Sequence, residues 1–268
     1  MLRLILFLIL VPFALSAQDR RPSHCIALAN SAPQMEYVQL AAYTDAVPEY
    51  SVRISYIDHS MFLLQTRGGL SVATDYTGYI GPANFYPTVV TMNHGHTSHW
   101  TNFVDPSIPH VLPGWGEFGK GIEHYIDLGE MLVRNVSTNI RVGDGFEPNG
   151  NSIFVFEVEG LCIGHLGHLH HEPSAEQYAA LWRLDVVMAA VDGGMTLNLP
   201  TMIRILKRLK SSVVIPMHWF GRGTLDRFLV GMADDFDIQQ NGETEMTVSL
   251  RSLPSRPTVV VLEPSFLE

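Results

Sequence analysis

Basic charge is scarce in this chain of 268 residues: 17 lysines and arginines stand against 27 aspartates and glutamates, a formal net charge of −10 with histidine neutral. A surface of that sign repels phosphate backbones, which excludes nucleic acid as a partner. Cysteine is scarcer still. Two cysteines, Cys25 and Cys162, cannot make a disulfide framework; an exported chain could pair them, but Cys162 lies in an apolar strand pattern and reads as plain core. Beyond the first seventeen residues no run is long and apolar enough to be a membrane candidate. Linker-like and low-complexity stretches are missing too, so nothing favours two small domains over one large α/β domain drawn from a 46% apolar composition.

What is present begins with a leader. Residues 1–17 carry one positive charge, Arg3, then an apolar core of about a dozen residues and the small residues Ser16 and Ala17, the layout of a secretory signal peptide. The core falls short of the roughly 20 residues that span a bilayer. The expected mature protein is therefore exported, periplasmic or secreted, without stable membrane insertion after cleavage. Residues 18–50 read as a lead-in and residues 51–268 as the domain; nothing in the chain fixes an oligomeric state.

Histidine is where the chain departs most from an ordinary globular composition. Three of its twelve histidines, His94, His96 and His99, come directly after the β-branched run Thr88-Val89-Val90-Thr91. Two-residue spacing puts His94 and His96 on one side of an extended backbone, and one helical turn would bring His99 back to His96. A second apolar strand, residues 152–159, leads through Gly160 toward His165, His168, His170 and His171. A third, Val213-Val214-Ile215-Pro216-Met217, delivers His218. Imidazoles at the carboxyl ends of successive strands are where open α/β sheets hold ligands, and three such strands argue for one metal site. His165, His170 and His171 read as supporting or surface groups, because a site needs only three or four protein ligands.

The remaining pattern supplies the scaffold. Residues 51–66 alternate, Arg67-Gly68-Gly69 turns the chain, and a second apolar run comes next, a hairpin signal with Asp58, His59 and Asp75 near strand ends as turn or network residues. Residues 105–121, rich in Pro and Gly, read as a long loop over the site. Residues 173–182 and 200–210 read as helices, the second amphipathic with Pro200 at its start. Trp100, Trp115 and Trp219 lie beside the histidine motifs or in the nearby loop and are expected to line an apolar cleft.

Taken in order, these motifs resemble the metallo-β-lactamase superfamily, in particular its ascorbate-lactonase-like hydrolases, over residues 54–264. The segment Tyr56-Ile57-Asp58-His59-Ser60 is similar to the family's opening hairpin. His94-Gly95-His96-Thr97-Ser98-His99 is similar to its His-x-His-x-Asp-His signature, His165-Leu166-Gly167-His168 to its His-Leu-Gly-Asp segment, and Ile215-Pro216-Met217-His218 to its last ligand. The resemblance implies an α/β fold of the αββα type, two mixed β-sheets face to face with helices outside and metal in the cleft at one edge.

The departures concern charge. Ser98 stands where the family has an aspartate, His168 where it has a bridging aspartate, and residues 137–139 where it has a middle histidine. A carboxylate can hold two cations, whereas a neutral imidazole offers one lone pair. The expectation is thus one tightly held ion, with any second ion weak, bound among His94, His96, His99, His168 and His218. Zinc suits these ligands best, and nickel, copper or iron suit them by type as well. Asp192, before Gly193-Gly194, is the expected general base; Ser98 and Asn139 are the expected substrate-binding or oxyanion donors. The implied activity is hydrolysis of a small ester, lactone, amide or phosphodiester by hydroxide generated at the metal. The alternative is a non-catalytic metal-binding protein on the same scaffold.

Overall fold

Residues 21–26 and 43–268 are described by a computed structural model; the expected signal peptide and most of the lead-in lie outside the described residues. Two β-sheets face each other. The first has the order Glu245–Ser249 (β13), Ser51–Asp58 (β1), Met61–Gln65 (β2), Ser71–Ala73 (β3), Val89–Met92 (β4) and His110–Pro113 (β5), antiparallel as far as β3 and parallel after it. The second has the order Asp237–Gln240 (β12), Thr258–Val261 (β14), Val213–Met217 (β11), Val186–Ala190 (β10), Leu161–His165 (β9), Gly145–Val158 (β8), Met131–Val142 (β7) and Tyr125–Asp127 (β6). It is parallel from β12 to β9 and antiparallel beyond. Both sheets are mixed, as the family resemblance implies.

Period-two alternation sorts the side chains into layers. On β8, Phe154 and Phe156 share the inter-sheet core with Tyr56, Phe62 and Leu64 of the first sheet. Ile153 and Val155 of the same strand turn outward, into a cluster with the helices Ala175–Leu181 (α1), Leu199–Leu209 (α2) and Arg222–Met232 (α3), through Leu181, Ile205, Leu206, Leu225 and Phe228. The outer face of the first sheet is covered otherwise. Leu63, Val90 and Met92 pack against Tyr76, Ile80, Trp100 and Trp115 from connecting segments. Among the described residues that outer layer is loop, where the family pattern implies helix.

Helices α1 and α2 start where their caps dictate. Ser174 and Gln177 form a reciprocal capping box, and the Asn198 side chain accepts from the Thr201 N–H, with Pro200 in the first turn. Helix α3 carries no such start signal in the sequence: its first turn has no acidic residue, and the Gly221 cap offers no side-chain hydrogen bond. The β7–β8 hairpin also runs further than the turn residues Asn149-Gly150-Asn151 imply. Pairing continues through Ile140↔Glu147 after a register shift between Thr138 and Ile140, so those residues lie inside a bulged strand.

Cys162 is not a plain core thiol. It is joined to Cys25 by a disulfide that closes a separation of 137 residues and ties residues 21–26 to β9. Beneath this strap lies the fully buried Glu157, which accepts from Ser23 Oγ at 2.5 Å, the His24 N–H at 2.9 Å and Arg134 Nε at 2.7 Å. Cys25→Ser is expected to lower stability by about 2–5 kcal/mol, because it frees a long loop in the unfolded chain and leaves Glu157 with fewer donors. Thermal unfolding with and without a dithiol reductant checks this; equal melting temperatures for wild type in both buffers would refute it.

Candidate metal centre

His59, His96, His99 and His218 converge from three distant segments, with one ring nitrogen of each within 4.8 Å of all the others. His59 occupies the tight turn between β1 and β2. His96 and His99 lie on the loop after β4, which closes on itself through His99 N–H to His96 O at 2.9 Å and Asn93 N–H to His99 O at 3.1 Å. His218 comes directly after β11 and donates its N–H to the His59 carbonyl at 2.7 Å, an acceptor shared with the Tyr56 hydroxyl at 2.6 Å. His59, Asp75 and His218 have φ of 48°, 43° and 57°, the left-handed region, which costs a non-glycine residue on the order of 1 kcal/mol. Three such residues in one site mean that the surrounding packing, not local preference, sets their aim.

His99 and His96 each have a hydrogen-bond partner on the ring nitrogen that faces away from the cluster. Asp75 Oδ2 is 2.5 Å from His99 Nδ1, with Ser60 Oγ at 2.9 Å from the same nitrogen, and Asp75 Oδ1 accepts from Asn93 Nδ2 at 2.9 Å. Burial alone would raise the Asp75 carboxyl; the imidazoles of His165 and His99 and the hydrogen bonds from His99 and Asn93 outweigh it and hold it at about 2. An anion there fixes the His99 proton on Nδ1 and leaves a lone pair on Nε2. His218 Nδ1 lies 3.1 Å from Asp192 Oδ2, off the line of a well-formed hydrogen bond. On the opposite edge, His218 Nε2 and His99 Nε2 face each other at 3.1 Å.

That distance suits an N–H···N hydrogen bond when His218 carries its proton on Nε2, and two ligands of one cation when it carries it on Nδ1. Zinc–nitrogen bonds of about 2.0–2.1 Å in tetrahedral geometry put neighbouring nitrogens roughly 3.3 Å apart. His59 Nε2 and His96 Nε2 are also buried without any hydrogen-bond partner, and His96 Nδ1 is engaged by Ser98 Oγ at 2.7 Å. Orphaned buried nitrogens of this kind call for a ligand. The donor set therefore fits one divalent metal ion. Burial first, and then the neighbouring imidazoles, lower His59 to about 3 and His96 to about 4, so both are neutral at pH 7, as ligands must be.

Of the residues expected from sequence, the structure brings His96, His99 and His218 together. His168 stands beside them, its ring edge-on at 4.8, 4.7 and 5.2 Å from those of His96, His99 and His218, but outside the convergent group of nitrogens. Both its ring nitrogens are buried and unpartnered. Gly95 makes room for it, since a Cβ at that position would come within 2.6 Å of the His168 ring. His94 is a correction: it lies outside the group and stacks on Trp115 with centroids 4.8 Å apart. A bend at Gly95 separates two residues that a straight strand would have aimed alike.

Asp192 is a second correction. Its Oδ1 accepts from the N–H groups of Gly194, Met195 and Thr196, and its Oδ2 accepts from Thr196 Oγ1 at 2.5 Å. Burial would raise this carboxyl, but the contact with His218 and these hydrogen bonds hold it well below the carboxylate range. A carboxylate so saturated is a poor base; it orients His218. Ser98 is likewise committed to His96. Asn139 is used inside the β7–β8 hairpin, where its Oδ1 accepts from the Asn149 N–H at 3.1 Å, so it is not placed to serve an oxyanion. His165 spends both nitrogens, on Ser60 O at 2.8 Å and the Gly167 N–H at 3.2 Å. Trp219 packs in the helix-side cluster, away from Trp100 and Trp115. Sequence reasoning gives His59 and Asp75 bland roles. The available signal is Asp58-His59-Ser60 breaking two apolar runs, the sign of a tight turn at the mouth of the sheet.

A family model described as the β-lactamase superfamily domain matches residues 53–218, from the first strand of the hairpin to the last histidine of the cluster. The chain belongs to the metallo-β-lactamase superfamily. Among curated relatives in this superfamily, a UPF0173 metal-dependent hydrolase of Nanoarchaeum equitans is 23% identical over 72% of this chain and 92% of its own length. A second UPF0173 metal-dependent hydrolase, from Pyrobaculum neutrophilum, is 24% identical over 63% of this chain and 84% of its own. A solved structure from Thermotoga maritima, described as a candidate zinc-dependent hydrolase of the metallo-β-lactamase superfamily, matches with a TM-score of 0.56 at 25% identity. It covers 79% of this chain and 98% of that one. Within a metallo-β-lactamase superfamily site, Ser98 gives this chain a hydroxyl on His96 in place of a negative ligand. The negative charge lies one layer back instead, in Asp75 and Asp192.

Proposed function

We propose that this metal-dependent hydrolase of the metallo-β-lactamase superfamily holds one zinc ion through His59, His96, His99 and His218 and hydrolyses a small ester, lactone, amide or phosphodiester. The observation that carries the reading is the convergence of His59, His96, His99 and His218, one ring nitrogen of each lying within 4.8 Å of all the others, with His59 Nε2 and His96 Nε2 buried and unpartnered. A divalent ion bound there supplies Lewis-acid polarisation of the scissile group and water acidic enough to react near neutral pH. The protein's part is to hold the ligands neutral and aimed. Asp75 and Ser60 fix the His99 proton on Nδ1, Asp192 backs His218, and Ser98 engages His96 Nδ1. The names of the curated relatives support the hydrolase class, and the imidazole donors support zinc.

Elemental analysis of untagged protein is expected to return one zinc per chain; two stoichiometric ions would overturn the single-ion site. A hydrolase panel with chelated and reloaded protein side by side is expected to show activity that returns with metal. Tight metal binding without turnover on any panel member would favour a metal-binding role instead.

The same proposal has the protein working outside the cytosol. The apolar leader and the Cys25–Cys162 disulfide support export, since such bonds persist in oxidising compartments. Cell fractionation with thiol alkylation tests this: a cytosolic chain with two free thiols would refute it.

A further inference from the structure

Apolar side chains stand in solvent around this site. Phe220, 64% exposed, has its ring centroid 5.3 Å from those of both His59 and His218. Met195, 51% exposed, sits on the loop that cradles Asp192 and donates its N–H to Asp192 Oδ1 at 2.6 Å. The tip of the β7–β8 hairpin is drawn against that loop by Arg141, whose guanidinium donates to the carbonyls of Gly194, Met195 and Thr196 at 3.0, 2.6 and 3.1 Å. It brings the exposed Phe146, whose ring is 5.9 Å from that of His171. Exposed phenyl and thioether groups beside a reactive centre leave apolar area that a bound molecule could cover.

Charge points the same way. A phosphoryl or carboxylate substrate is gripped by free guanidinium or ammonium groups. Two cations lie near these segments, Arg141 at the end of β7 and Arg222 at the start of α3. The first holds the hairpin tip on the Asp192 loop through its Nη2, which faces three carbonyls, and the second pairs with Glu263 at 2.7 Å. The carboxylate on the other flank, Glu147, lies 4.0 Å from His94 Nδ1 and would repel an anion.

Resting on the hydrolase reading above, we propose that the substrate is a neutral ester or lactone with an alkyl arm, and that Phe220, beside His59 and His218, is the surface on which that arm lies. Phe220 is thus a specificity residue. The arm loses water contact against the phenyl ring while the carbonyl reaches the imidazole cluster, so selectivity grows with chain length and not with charge.

The test is a series of p-nitrophenyl esters from acetate to decanoate, with bis(p-nitrophenyl) phosphate as the anionic comparison, on zinc-loaded wild type, Phe220→Ser and Phe220→Leu. In wild type kcat/KM is expected to rise about twofold per methylene, below the roughly fourfold of complete burial. Phe220→Ser is expected to reduce the decanoate-to-acetate ratio about tenfold, with Phe220→Leu between the two. A flat chain-length profile, a ratio unchanged in Phe220→Ser, or preference for the phosphodiester would overturn the proposal. Calorimetric titration of chelated protein with 1-butanol and 1-octanol reads the surface without turnover. Tighter octanol binding that weakens in Phe220→Ser supports Phe220 as the surface for an alkyl arm even if no ester is cleaved, in which case the hydrolase reading and the ester fail while the surface stands; equal binding of the two alcohols overturns the surface.

Discussion

Protein carrying His218→Ala is expected to retain far less than one equivalent of metal and to lose turnover by on the order of a thousandfold, the equivalent of several kcal/mol of charge stabilisation supplied by a bound ion. His218 reaches the cluster from β11 in a left-handed conformation, with its N–H on the His59 carbonyl and its Nε2 on that of His99. Truncation removes one donor outright and leaves His99 Nε2 without its counterpart. The fold should survive, because β11 contributes Val213, Ile215 and Met217 to the inter-sheet core and His218 lies outside it. Far-ultraviolet circular dichroism beside elemental analysis separates loss of metal from loss of structure. His94→Ala is the informative comparison: its ring stacks on Trp115 outside the group, so metal content is expected to stay near wild type. Full metal occupancy in His218→Ala, or its loss in His94→Ala, would contradict the ligand set.

Much of this arrangement can be read from the chain because it depends on strand ends. Apolar runs such as Val213-Val214-Ile215-Pro216-Met217 announce a buried parallel strand, and a residue just past the carboxyl end of such a strand must face the cleft. That logic brings His96, His99 and His218 together without coordinates. It fails where the backbone departs from regular geometry. The bend at Gly95 sends His94 to Trp115, and the β1–β2 reversal at His59 turns a residue that reads as part of a hairpin into a ligand. Periodicity carries no information about either, since both depend on left-handed or turn conformations that tertiary contacts impose.

The carboxylates are hard to read for a different reason. In sequence, Asp192 before Gly193-Gly194 shows only that an acid lies near a strand end; its three backbone donors and Thr196 appear only once the loop is closed. Asp75 is less visible still, because its partners His99 and Asn93 lie 24 and 18 residues away. The sheet layers show the same division. Alternation on β8 predicts that two faces are buried but not what covers them, and the outer face of the first sheet turns out to be closed by loops bearing Tyr76, Trp100 and Trp115.

Asp75→Asn is expected to be the most damaging single-atom change in the molecule. The carboxylate is fully buried and takes His99 Nδ1–H on one oxygen and Asn93 Nδ2–H on the other. An amide of the same shape must turn its NH2 toward one of those donors, whichever way it is flipped. Breaking such a buried charged contact costs about 3–5 kcal/mol, and metal affinity should fall about 10- to 100-fold as His99 loses the anion that orients it. The pH dependence distinguishes this from simple misfolding. Asp75 has its folded value lowered from 3.8 to about 2, so its contribution is complete above pH 3.8 and is lost as pH falls toward 2. His59, His96, His168 and His170 act earlier: burial, the largest cause for each, lowers them from 6.5 to about 3, 4, 2 and 4. Below pH 6.5 the unfolded chain therefore takes up protons that the folded cluster refuses, and metal-free protein should lose stability from there downward. Denaturant titrations of metal-free protein between pH 8 and pH 2 should show the histidine limb in both wild type and Asp75→Asn, displaced downward in the variant, with a steeper fall below pH 3.8 in wild type than in the variant. Coincident curves for the two proteins would mean that Asp75 does not hold His99.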